Sequence, residues 1–369
     1  MTSRILPADP KAGFLAAEAD IEAAIRRVMH SGCYILGPEG EAFEQEFAAY
    51  LGAAGAVGVA NGTDALELAL RAAGVGPGDR VITVANTVTA TVAAIAAIGA
   101  EPVFVEIEPD TMLMDAAAVE RLLAGPRDAR IKAIVPVHLY GQPADLPALA
   151  RLAAAHGLAL VEDCAQAHGA AIGDRRVGAW GDYAAFSFYP TKNLGAFGDG
   201  GAVTAREPAR LESVRLLRQY GWRRRYVSEG FGRNSRLDEL QAAILRVRLT
   251  RLDAENAQRA ALAQRYLERL QSAPLTLPAV AAGRRPVWHQ FVVRSPQREA
   301  LRARLEADGI LCGVLYPVPV HHQPAYRQPG TALPETERAC AEVLSLPLHL
   351  GLGPADVDRV CAAVLTACA

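Results

Sequence analysis

The sequence predicts an α/β fold, a largely parallel sheet covered by helices, with a smaller α/β domain towards the C-terminal end. Three observations carry this expectation. From about residue 55 to 205, short β-branched runs alternate with Ala- and Leu-rich segments of helical period. At 369 residues the chain exceeds what one hydrophobic core usually supports. Beyond about residue 250, fresh strand and helix signals follow a long, charge-laced helical stretch.

Two helical segments, over 21–29 and 39–51, precede the sheet. The strands are then AVGVA (56–60), RVITVA (80–85), PVFVEI (102–107), IKAIVPV (131–137), LALVED (158–163), YAAFSF (183–188) and GGAVTA (200–205). Helical patterns over 64–73, 88–98, 115–123 and 146–155 separate the earlier strands. Strand and helix alternating at this spacing imply crossover connections and a sheet buried on both faces. A single helical stretch is expected over 236–266, then a strand at HQFVVRS (289–295), a helix over 298–307 and a Pro-rich segment, YPVPVHHQP (316–324). The expected division is a large domain over 1–248, with an N-terminal arm, and a small one over 249–369. Ligands of such sheets bind at the carboxyl ends of the strands.

Composition narrows the class. Apolar residues make up 51% of the chain, enough for a sizeable core, and the formal charge of −2 provides no basic field for nucleic acid. Six scattered cysteines show no metal-ligand or redox spacing, which suits a reducing compartment and no metal. The N-terminus has no basic stretch followed by an apolar one, and the Ala-rich run over 87–100 is too short to span a bilayer. A cytoplasmic protein with no membrane partner is expected.

Three segments carry chemistry. In FSFYPTKNLGAFGDGG (186–201), Lys192 lies on a turn after an apolar strand and before a glycine-dense loop. A lysine partly desolvated there can lose its proton and form a Schiff base. In LALVEDCAQAHGA (158–170), Asp163 ends a buried strand, where a lone carboxylate is costly and calls for a cationic partner. A protonated pyridine nitrogen is one such partner; capping the next helix is the alternative. Gln166, a turn on, can donate to a phenolic oxygen of the same ring. In VGVANGTDALELAL (57–70), a strand runs into a helix start whose amides, with the Thr63 hydroxyl, suit a phosphate. An ordinary cap by Thr63 or Asn61 is the alternative. Ser187 adds a further hydroxyl.

Taken together with SGCYILGPEGEAFEQEFA, EPVFVEIEPDT, VHLYGQ, RQYGW, GRNSRLDELQAAIL and LYPVPVHHQPAY, these segments resemble the DegT-type sugar aminotransferases over nearly the whole chain and in the family's order. The resemblance implies the aspartate-aminotransferase fold, fold type I of pyridoxal-phosphate enzymes. It implies that Lys192 carries pyridoxal 5'-phosphate, that Asp163 pairs with the pyridine nitrogen and that Gln166 contacts the phenolic oxygen. Gly62, Thr63, Asp64 and Ser187 match phosphate-binding positions. Asn234 matches an asparagine reaching the phosphate of the partner subunit, so a homodimer with shared active sites is expected.

Tyr189, Arg225, Tyr226, Tyr316 and His321 match positions near a sugar nucleotide, with Arg225 and Tyr226 in a run, WRRRY, suited to a diphosphate. His138 is read as structural. Where relatives often carry an aromatic residue to stack on the cofactor ring, this chain has Val88, which covers less area. The implied reaction moves an amino group from glutamate to a nucleotide-linked keto sugar, closest to enzymes acting at C3 of dTDP-linked 3-keto-6-deoxyhexoses. An aminocyclitol aminotransferase shares every motif. A sugar dehydratase, with histidine in place of the lysine, and a non-catalytic regulatory protein fit less well with Lys192, Asp163 and Ser187 present.

Overall fold

The computed structural model describes residues 4–368. Its centre is a seven-stranded sheet formed by β1 (Gly55–Val59), β2 (Arg80–Val84), β3 (Glu101–Val105), β4 (Ile131–Ile134), β5 (Ala159–Asp163), β6 (Tyr183–Ser187) and β7 (Gly201–Ala205). The order across the sheet is β1-β7-β6-β5-β4-β2-β3. β7 runs antiparallel to both β1 and β6, and every other neighbouring pair is parallel.

Successive side chains of a strand point to opposite faces, and here both faces are covered. Ile82, Ile134, Leu160 and Phe186 enter one core with Phe43 and Phe47 of the helix Pro38–Leu51. Val81, Ala133, Val161 and Ala185, one register position away, enter another core with Leu66 and Leu70 of the helix Gly62–Ala72. A slip of one residue would exchange the two sets, so the dry faces fix the register. Since β1, β2, β4, β5 and β6 share a direction, Val59, Val84, Ile134, Asp163 and Ser187 end on one edge.

A separate core towards the C-terminal end joins Leu262, Tyr266, Phe291, Leu305, Leu344 and Val360. It is built on an antiparallel pair, β8 (Phe291–Arg294) with β9 (Val343–Leu346), packed with the helices Leu252–Arg269, Arg298–Ala307 and Pro354–Cys368. Ile5 belongs to this core as well, bridged to Ile310. Among the described residues no helix is long and apolar enough to cross a membrane.

One expectation is revised. The helical stretch over 236–266 is two helices, Glu239–Leu249 and Leu252–Arg269. They part at Thr250, whose hydroxyl donates to the Val247 carbonyl at 2.8 Å and so competes with the backbone ladder. The Pro-rich segment forms two short 3₁₀ turns, Val320–His322 and Pro324–Tyr326, because its prolines remove the donors a longer helix needs. The Val320 amide donates to the Ala85 carbonyl at 3.0 Å, tying this segment to the carboxyl end of β2.

Candidate active site

Asp163 closes β5 and is almost wholly buried. Its Oδ1 accepts the Ala165 amide at 3.1 Å and its Oδ2 accepts the Thr91 hydroxyl at 2.9 Å. Among the described residues no cation lies within ion-pair distance. Burial pushes the carboxyl above its ordinary range, while those two hydrogen bonds and the Lys192 charge pull it back. A buried carboxylate short of a positive partner is what a protonated pyridine nitrogen would complete.

Lys192 follows β6 on a turn closed by its own amide, which donates to the Tyr189 carbonyl at 2.8 Å. The turn is tight: a Cβ at Gly195 would come within 2.5 Å of the Pro190 carbonyl oxygen, so glycine is required there. Burial lowers the Lys192 ammonium to about 8, and the Asp163 charge opposes the shift. An amine that sheds its proton near neutrality is a usable nucleophile and base. In cofactor-free protein, labelling of Lys192 by an aldehyde and borohydride is therefore expected to rise with pH around a midpoint near 8. A midpoint near ~10, that of an ordinary lysine, would show the amine to be solvated.

The segment expected to cradle a phosphate follows β1, two positions from β6 in the sheet. Asn61, not Thr63, caps the helix Gly62–Ala72, its Oδ1 accepting the Asp64 amide at 2.8 Å. The Gly62 and Thr63 amides remain as leading donors with no intrahelical acceptor. A Cβ at Gly62 would stand 2.6 Å from Ser187 Cβ, so only glycine lets the helix start meet the Ser187 hydroxyl. Asp64 does not fit the expected role. Its amide is taken by Asn61 and its carboxylate pairs with Arg233 Nη2 at 3.2 Å, which leaves nothing for an anion.

Gln166 is brought beside Tyr316. Its Nε2 donates to the Tyr316 hydroxyl at 3.1 Å, and its Oε1 accepts the Tyr140 amide at 2.7 Å. One amide hydrogen of Gln166 is left for a ligand. Burial pushes the Tyr316 phenol up to about 12, so the group stays a neutral hydrogen-bonding partner.

The remaining expected contacts divide. Tyr189 is half exposed, and Arg225 and Tyr226 top an exposed ribbon formed by Trp222–Arg224 and Val227–Ser228. The Arg225 guanidinium stands 4.9 Å from the Tyr226 ring centroid, and neither residue bonds to Lys192 or Asp163 among the described residues. His321 departs from its expected role as a substrate contact. It is fully buried against Phe104, with Nε2 3.3 Å from Glu337 Oε1, and has no surface to offer.

Asn234 is exposed, and its side chain makes no hydrogen bond among the described residues. Its neighbours face inward: Arg233 pairs with Asp64 and Glu67, and the buried Ser235 hydroxyl accepts the Ala60 amide at 3.1 Å. Asn234 bridges to Gln219 in extended pairing, where adjacent side chains point opposite ways, so it faces away from its own chain.

Some residues escaped the sequence reading. Thr91 touches Asp163, and Thr87 touches Thr91 at 2.8 Å. Their i, i+4 spacing in NTVTATV was the available signal. Glu162 is wholly buried and accepts the Gly178, Trp180 and Gly181 amides at 2.9, 2.9 and 2.7 Å, with His138 Nε2 at 3.2 Å. His138 Nδ1 accepts the Ala144 amide, so Nε2 holds the proton and faces Glu162. Asn193 donates to the Asn256 side chain and the Val287 carbonyl, both at 2.8 Å, joining the Lys192 turn to distant segments.

Comparison with known proteins identifies the family. Residues 16–365 match the sequence model of the DegT/DnrJ/EryC1/StrS aminotransferase family. The chain is 50% identical, over 98% of its length and 96% of the relative's, to the dTDP-3-amino-3,4,6-trideoxy-alpha-D-glucose transaminase of Streptomyces venezuelae. Its fold superposes on S. venezuelae DesV, solved in complex with a ketimine intermediate, with a TM-score of 0.96 at 50% identity, covering 99% and 98% of the two chains. NtdA of Bacillus subtilis, solved with bound cofactor PMP, follows at a TM-score of 0.92 and 30% identity, covering 100% of this chain and 86% of that one. With its α/β architecture and mostly parallel central sheet, the chain belongs to the DegT/DnrJ/EryC1/StrS family and is a pyridoxal-phosphate-dependent sugar aminotransferase.

Proposed function

We propose that this aminotransferase carries the amino group of glutamate to C3 of a dTDP-linked 3-keto-6-deoxyhexose. The observation that carries the substrate is the end-to-end likeness to a transaminase named for a dTDP-linked 3-amino sugar. Transamination interconverts an amine with the ketone at the same carbon, so the acceptor corresponding to a 3-amino product is the 3-keto sugar.

Pyridoxal phosphate, when bound, supplies an electron sink for the charge left at a deprotonated carbon. The chain does the rest. The Gly62 and Thr63 amides and the Thr63 and Ser187 hydroxyls hold the phosphate. Asp163 provides the counter-charge for the ring nitrogen, the free Gln166 hydrogen reaches the phenolic oxygen, and the half-buried Val88 covers a ring face. Lys192 Nζ is the attachment point. With the cofactor bound, Nζ would take the proton from the donor's α-carbon; an amine titrating near 8 is matched to that transfer. Arg225 and Tyr226 bind the diphosphate, and Tyr189 and Tyr316 flank the sugar.

The chain acts as a homodimer in which Asn234 of the partner subunit completes the phosphate site. Its outward direction supports this, as does a cradle with no cationic side chain of its own. Mixing Lys192→Ala protein with Asn234→Asp protein is expected to restore about a quarter of wild-type activity after subunit exchange. Half the dimers would then be mixed, and each would hold one intact site. No recovery after proven exchange would put Asn234 in its own chain's site or outside any site.

A panel of keto sugars with mass-spectrometric detection of amination tests the substrate. The dTDP-linked 3-keto-6-deoxyhexose is expected to exceed 4-keto sugars and keto-inositols in kcat/KM by about tenfold or more. Preference for a 4-keto sugar or a keto-inositol would overturn the assignment.

A further inference from the structure

We propose that Thr91 is a positioning residue of the reaction: its hydroxyl, itself held by Thr87, keeps the Asp163 carboxylate charged and aimed at the cofactor's ring nitrogen. This rests on the reading that Asp163 faces that nitrogen.

The hydrogen bonds fix their own direction. An ionised carboxylate only accepts, so Thr91 Oγ1 must donate its single proton to Asp163 Oδ2, 2.9 Å away. The 2.8 Å contact between Thr91 Oγ1 and Thr87 Oγ1 must then be made by the Thr87 proton. Thr87, Thr91 and Asp163 are all buried, so no water substitutes for a missing member. A helical threonine commonly bonds back to the carbonyl four residues earlier; here its proton goes to the carboxylate instead.

Two consequences follow for Asp163. Oδ1 is held by the Ala165 amide and Oδ2 by Thr91, so the carboxylate plane cannot rotate without breaking one of them. Burial disfavours the charged form, and Thr91 and the Ala165 amide are the two hydrogen-bond donors that oppose it. Thr91 also lies in the first turn of the helix Thr89–Ala97, which begins beside Val88, so the positive end of the helix dipole adds in the same sense. One helix start thus supplies both the residue proposed to cover the ring and the donor behind the ring's counter-charge.

The test uses Thr91→Val, which keeps the shape and removes the donor. Two quantities are measured on protein loaded with pyridoxal phosphate labelled with nitrogen-15 in its ring: the equilibrium dissociation constant of the cofactor and the ring-nitrogen resonance, which reports the proton on that nitrogen. The dissociation constant is expected to rise about tenfold, the effect of a lost hydrogen bond to a charged group. The resonance should move towards its position in Asp163→Asn. Thr91→Ser should restore both, and Thr87→Val should move both the same way by less. If Thr91→Val does not fold, Thr91→Ala is judged by the same criteria. Wild-type values for both quantities in the hydroxyl-less variant would overturn the proposal, as would failure of a folded Thr91→Ser to restore them. If Asp163→Asn itself leaves the resonance unmoved, the placement of Asp163 against the ring fails. If it moves and Thr91→Val does not, only the role of Thr91 fails.

Discussion

Lys192→Ala is expected to abolish turnover while leaving the protein folded and able to bind its cofactor. On the proposed assignment the side chain provides both the covalent attachment and the proton transfer at the donor's α-carbon, and the latter alone is worth about 10²–10⁴-fold. The proposed phosphate cradle at Gly62, Thr63 and Ser187 and the carboxylate of Asp163 do not depend on it. Purified Lys192→Ala should therefore carry cofactor that dialyses away and is not fixed by borohydride, with no glutamate half-reaction. Residual activity within about tenfold of wild type would mean that another group moves the proton.

Asp163→Asn is the second large effect, and its two signs separate chemistry from structure. The half-reaction with glutamate is expected to slow by about 10²–10³-fold, as when a preorganised charge is removed from a reacting centre. The fold should tolerate the change. The amide oxygen can still accept the Ala165 amide, and the Thr91 hydroxyl can turn its proton to Thr87 and accept from the new NH₂ group. In cofactor-free protein the substitution removes a buried, unpaired carboxylate, so the thermal midpoint should hold or rise. A variant that melted earlier and reacted at a normal rate would make Asp163 a structural residue.

The strands of the central sheet were legible because each is a short β-branched run between turn residues, buried on both faces. The direction of β7 was not, since GGAVTA reads the same whether it pairs parallel or antiparallel. Lys192, Asp163 and Ser187 were legible as polar groups at the ends of apolar strands, where an unmatched charge or hydroxyl calls for a reason. Thr91 looked like one more small helix residue. Only its packing across to Asp163, 72 positions away, gives its hydroxyl a role.

His321 misled for the opposite reason. Its motif suggested a sugar contact, but the Phe104 ring and Glu337 on the helix Pro334–Glu342 enclose it, and nothing local announces that burial. Asp64 stood in a phosphate-binding motif, yet Arg233, 169 positions later in sequence, claims its carboxylate. The break at Thr250 was hidden because the flanking residues on both sides keep helical period and composition. Strand β9 was missed because VLSL is too short to stand out, and it exists only by pairing with β8.

Lys192 is proposed to be the residue to which the cofactor is joined. The chain offers a simple test, having three lysines in all: Lys11, Lys132 and Lys192. Lys11 is exposed on the short helix Pro10–Leu15, and Lys132 is exposed near the amino end of β4, away from the edge where Asp163 and Ser187 lie. Borohydride reduction of the holoprotein, followed by proteolysis and mass spectrometry, is expected to place the pyridoxyl mass on the peptide containing Lys192 and on no other. Stoichiometric modification of Lys11 or Lys132, with Lys192 untouched, would contradict the account.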